Sequence, residues 1–126
     1  MAVQRVGFWR ELRHGDPDGP SLHDSVRRGL REREAEIVRY LRDSPTLAAT
    51  GVRVNDYLNS DNRAVAPLET ATDGTWIWPR DLPYYVETYS VALPTAFVQH
   101  MKQRNWEPPE LTYEELVAVE NALFGE

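Results

Sequence analysis

The stretch TATDGTWIWPRDLPYYV, residues 70–86, decides how this chain is read. It holds two Trp, two Tyr, two Pro and an Asp-Gly pair. Asp-Gly between the β-prone runs APLETAT and TWIWP signals a hairpin, because both residues tolerate positive φ. Within TWIWP, Trp76 and Trp78 share one strand face and Ile77 takes the other. Pro79 ends the strand. DLPYYVETYSVAL then reads as a helix, with Asp81 as N-cap and Pro83 in the first turn, where a missing N–H costs little. Tyr85, Tyr89 and Ala92 are spaced for one face of it.

Trp and Tyr bury much area and still want a polar partner. The stretch is therefore either the nucleus of the core or a site. As a site, Trp76, Trp78, Tyr84, Tyr85 and Tyr89 would stack on a flat ligand, with Arg80 and Asp81 at its mouth. A protein-contact surface anchored by the same rings is the third option.

Downstream, PTAFVQHMKQRNW reads as a short helix starting near Pro94, with Phe97, Val98 and Met101 as its apolar stripe. EPPEL breaks it. LTYEELVAVENALFGE closes the chain as a helix, with a Thr112–Glu115 capping box and a buried side of Leu116, Val119, Leu123 and Phe124. Upstream, RVGFWREL (5–12) suits a short strand, and HGDPDGPS is a loop. Residues 21–45 read as helix, with Leu22, Val26, Leu30, Ile37 and Leu41 near one face. Ser21 and Asp24 are its N-cap candidates, Pro45 stops it, and Gly29 is a point where it would divide. Arg28 with Glu32 and Arg33 with Glu36 sit at helical pairing distance. Residues 51–54 suit a strand, and YLNSDNRA a loop. These elements give an α+β fold in one domain, residues 1–126. A small antiparallel sheet of three or four strands carries packed helices, because strands and helices do not alternate as βαβ units.

The 126 residues are 41% hydrophobic and 27% charged, with no cysteine. That excludes disulfides, thiolate metal sites and a Cys nucleophile. The N-terminus lacks the apolar region of a signal peptide, and no run is long enough to span a bilayer, so the expected setting is cytoplasmic and off the membrane. Lys102 stands alone among 14 Lys and Arg, a bias of GC-rich genomes. A net charge of −6 argues against nucleic acid. Residues 105–126 carry six Glu and no Lys or Arg, either a solvated helix face or a contact surface for a basic partner.

No P-loop, G-x-S-x-G, H-E-x-x-H or dinucleotide Gly cluster occurs. No cofactor or metal is implied. His14 and His23 have acids close in sequence. His100 is the one catalytic candidate, with Glu87 or Asp81 as its orienting partner. Three functions are consistent with these features. The first is a non-enzymatic interaction or accessory protein. The second is a small-molecule-binding protein using the aromatic stretch. The third is a small hydrolase or isomerase built on His100 and a carboxylate.

Asp73, Gly74, Trp76, Trp78, Pro79, Leu82, Tyr85, Val86, Leu93, Pro94 and Phe97 form a pattern that resembles a group of small bacterial proteins, frequent in actinomycetes and of uncharacterised function. The resemblance implies that hairpin, helix and helix form a unit. The resemblance supplies no function; under the small-molecule-binding reading, an actinomycete protein would act in secondary metabolism, for tailoring or self-protection. Some similar proteins carry a cysteine pair upstream of Asp-Gly; this chain does not.

Overall fold

A computed structural model describes residues 3–28 and 33–124. Along the chain these form β1 (Gln4–Arg5), α1 (Leu22–Ser25), α2 (Glu34–Asp43), β2 (Thr46–Val54), β3 (Ala66–Thr72) and β4 (Trp76–Pro79). The helices α3 (Leu82–Tyr89), α4 (Thr95–Gln103) and α5 (Tyr113–Phe124) follow. The fold is α+β. The sheet order is β1-β4-β3-β2, and the pairs β2–β3 and β3–β4 are antiparallel, as expected. β1 runs parallel to β4, so the sheet is mixed.

The hairpin forms where Asp-Gly placed it, pairing Thr72 with Ile77 and Ala71 with Trp78. Its turn is not the two-residue kind. Gly74 takes a positive φ of 96°, and Asp73 does not. Instead the Asp73 carboxylate accepts from the amides of Thr75 (2.9 Å) and Trp76 (2.8 Å), a side-chain mimic of a backbone turn.

Trp76 and Trp78 turn inward onto Phe97 of α4, at ring distances of 4.8 and 5.4 Å. Leu22, Ile37, Leu41, Leu82, Tyr85, Val86 and Met101 complete the same buried cluster. Ile77 faces the opposite side, where it borders a small hollow with Leu47, Leu123 and Phe124. Helices α2, α3 and α4 thus fill one face of the sheet, and α5 lies toward the other.

β4 also closes the C-terminus of α2, whose last carbonyls lack helical partners. Trp78 Nε1 donates to Leu41 O at 3.1 Å. Arg80 Nη1 reaches the carbonyls of Leu41, Arg42 and Ser44. A cation suits that negative helix end.

Three readings change. RVGFWREL is not a strand beyond Arg5. Gly7 adopts φ 79° and bends the chain away, with Leu82 against it so closely that a Cβ would meet a methyl at 3.0 Å. Val6, Trp9 and Leu12 still enter the core, from turns. The 21–45 helix is two helices. α1 stops at Val26, which is extended, and Arg27 has φ 59°. Gly29, Leu30 and Glu32 lie outside the described residues. Ser21 caps α1 through Asp24 N, and Arg33 and Glu36 pair at 3.9 Å. β2 begins at Thr46, earlier than the four residues read as strand.

Candidate functional site

The residues proposed to stack on a ligand are placed as core or as anchors. Trp78 and Tyr85 are fully covered, and Trp76 nearly so. No face of the Trp78 or Tyr85 ring is open to a flat molecule. Arg80 is buried and spent on carbonyls, with Thr46 Oγ1 at 2.7 Å and Glu69 at 3.4 Å. Asp81 is buried at the head of α3 but makes no cap there. Its Oδ2 meets His14 Nε2 at 2.9 Å, while its Oδ1 has no hydrogen-bond partner.

Tyr84 and Tyr89 point to a residue that sequence reasoning missed, Asp56. Its Oδ2 accepts from Tyr89 OH (2.6 Å), Tyr84 OH (2.8 Å) and Asn62 Nδ2 (3.2 Å). Its Oδ1 accepts from the amides of Leu58 and Asn59. Burial pushes the Asp56 carboxyl up, and these donors outweigh it, leaving it below the usual carboxylate range. Burial and the Asp56 charge push Tyr84 up, and raise Tyr89 to about 12. Tyr85 OH accepts from Tyr57 N at 2.9 Å. The tyrosines of α3 are therefore pins for the loop after β2. Only the turn-forming Asn and Asp content of that loop hinted at this.

His100 does not meet Glu87 or Asp81. Glu87 pairs with Arg42 at 3.1 Å, and Asp81 with His14. The carboxylate beside His100 is Asp73, 3.1 Å from Nε2, at an angle that makes no hydrogen bond. Tyr40 OH already donates to the same oxygen at 2.7 Å. Burial, then the Asp73 charge, push the Tyr40 hydroxyl far above its ordinary range, so it is a fixed donor. A His–Asp contact exists, but the Asp serves the turn and the core.

Arg80 and Tyr84 also border a polar hollow of about 580 Å³ with Arg42, Arg53 and Glu69. Its cations are already engaged: Arg42 with Glu87, Arg80 as above, Arg53 through Nε to Ala64 O. Among the described residues no cluster of three or more His, Cys, Asp or Glu could hold a metal ion. No described helix is long and apolar enough to cross a membrane.

The outward chemistry lies elsewhere. Thr112 and Glu115 form both bonds of the capping box that starts α5. Only Val119 of this helix is buried, and Phe124, expected inside, is outside. Tyr113 and Phe124 are each 77% exposed. Eleven residues make nearly three whole turns, so both rings stand on one line along the helix, about 16 Å apart, with Glu120 between. Glu110, Glu114, Glu115 and Glu120 have no cationic partner among the described residues, whereas Glu107 pairs with Arg39.

Compared with protein-family models, with curated proteins and with solved structures, the chain matches none.

Proposed function

We propose that the protein is a non-enzymatic cytoplasmic interaction protein that docks a basic partner on α5. The observation that carries this reading is the line from Tyr113 to Phe124. It combines two exposed aromatic rings with carboxylates that no cation among the described residues neutralises. Aromatic residues supply most binding energy in protein contacts. Unneutralised charge steers an oppositely charged partner and sets specificity. The net charge of −6 adds to that field. The hairpin lies beside this surface, with Gly74 and Ile77 bordering hollows that α5 also lines.

The test is a photo-crosslinking residue at the exposed position Asn121, beside the line of the two rings, used in the native host, with the product identified by mass. The expected result is one stoichiometric basic partner. Its capture falls with rising salt and disappears in a Tyr113→Ser, Phe124→Ser double variant that stays folded. A partner indifferent to salt and to both substitutions, or no stoichiometric partner at all, overturns the reading.

A further inference from the structure

A cleft of about 400 Å³ opens on the face of the molecule formed by the N-terminal segment, and neither the aromatic stretch nor α5 contributes to it. Its walls are mainly apolar: Val6, Phe8 and Trp9 on one side, Leu93 and Pro94 on the other. That size and lining fit a small-molecule site, which is concave, mostly apolar and supplied with a few polar groups that orient the ligand.

The cleft is preformed although its walls are turns and connections. Backbone bonds tie the wall segments to one another and to the sheet. Val6 N donates to Ile77 O, Arg10 N to Pro20 O, Asp16 N to Phe8 O and Ala92 N to Ser25 O, at 2.9–3.1 Å. A ligand entering it would not have to order these segments, so little of its binding energy would be lost. Gly7 makes the shape possible. Its left-handed φ of 79° sets the bend before Phe8, and a Cβ there would press on the Leu82 side chain at 3.0 Å.

Two charges of opposite sign line the same cleft, Arg5 and Asp16. Neither belongs to an ion pair among the described residues. Arg5 is exposed, and its guanidinium makes no hydrogen bond among the described residues. Asp16 spends Oδ1 on the amide of Asp18 at 2.9 Å, and Oδ2 has no partner among the described residues. A guanidinium fork suits a carboxylate, and a carboxylate suits an ammonium.

From this combination we infer that the cleft binds a small zwitterion with an apolar body, its carboxylate on Arg5 and its ammonium on Asp16. An apolar amino acid is the shortest member of that class, and a dipeptide or a long-chain ω-amino acid spans a wider separation of the two charges. The inference does not rest on docking at α5, although Arg5 and Phe8 also border the hollow that Leu123 and Phe124 line.

Calorimetric titration of the intact chain with phenylalanine, the dipeptide Leu-Phe and a long-chain ω-amino acid tests this directly. At least one should bind saturably. Its methyl ester, lacking the negative charge, and its N-acetyl form, lacking the positive one, should each bind at least about tenfold more weakly. Arg5→Gln should then erase the preference for acid over ester while keeping the preference for amine over N-acetyl. Asp16→Asn, which still accepts from Asp18 N, should do the reverse. No saturable binding by any of the three compounds overturns the inference. So does binding whose two preferences survive both substitutions.

Discussion

The segment from β4 through α3 and the helix α5 are both rich in aromatic residues and charge, yet one is turned inward and the other outward. In the first, Trp78, Leu82, Tyr85 and Val86 are completely covered, and even Arg80 and Asp81 are buried. In the second, Val119 alone is buried. What separates them is the fate of their polar atoms. Trp78 Nε1, the Arg80 guanidinium and the hydroxyls of Tyr84, Tyr85 and Tyr89 all find partners inside the chain. Glu114 and Glu120 of α5 find none among the described residues. Aromatic density thus marks a core when the chain supplies its own acceptors, and a contact surface when it does not.

Substitutions on the inward side should have the largest effects. Trp78→Ala removes a fully buried ring and a hydrogen bond, and should cost about 3–5 kcal/mol in denaturant unfolding. A loss below about 1 kcal/mol would break the contrast.

Asp56→Ala should cost about 2–4 kcal/mol, because it strands two tyrosine hydroxyls and two backbone amides. In addition, the amides of Leu58 and Asn59 should lose protection from hydrogen exchange as the loop after β2 releases.

Glu11 gives a smaller effect and a pH signature. It accepts from Ser21 Oγ, Leu22 N and His23 N at the start of α1. Burial raises its carboxyl, and these bonds outweigh that, bringing it from 4.5 to about 2. A folded value below the unfolded one means stability that is complete above about 4.5 and lost as pH falls toward about 2. Glu11→Gln should cost about 1 kcal/mol at neutral pH. The difference between the variant and the parent should shrink on acidification through that window. A constant difference would show that the carboxylate charge is not what holds α1.

Phe124→Ser is the smallest, within about 0.5 kcal/mol, because the ring touches little. A larger loss would make α5 part of the core and remove the contrast from the other side.

The elements that were legible in the sequence are those specified by local chemistry. Asp73-Gly74 marked the hairpin, Pro83 and Pro94 marked helix starts, and Thr112–Glu115 marked α5. The alternation Trp76, Ile77, Trp78 placed the two tryptophans together on the inner face. What was illegible depends on partners far along the chain. The apolar run after Arg5 looks like a strand, but Leu82 and Gly7 decide its path. Asp81 has the right position for a cap, yet His14, 67 residues away, takes its oxygen. Asp56 looked like one turn residue among several until Tyr84 and Tyr89 folded over it. The residues of the Asp-Gly, Trp-Pro, Tyr-Val pattern include Trp78, Leu82, Tyr85, Val86 and Phe97, all interior. The candidate contact face was read as acidic, but Phe124 was assigned to its buried side. A 3.6-residue period alone could not tell which edge of the stripe the sheet would cover.

The parallel pairing of β1 with β4 has a consequence for the order of assembly. Residues 4 and 5 bond to residues 76 and 77. During synthesis the first strand must wait for the last, several seconds at about 5–20 residues per second. Through that interval Val6, Trp9 and Leu12 have no sheet edge to lie on, and chaperones would meet them exposed. Closing so long a loop is entropically unfavourable until the hairpin and α3 exist to receive it. The amino-terminal strap therefore locks only after the hairpin it pairs with has formed.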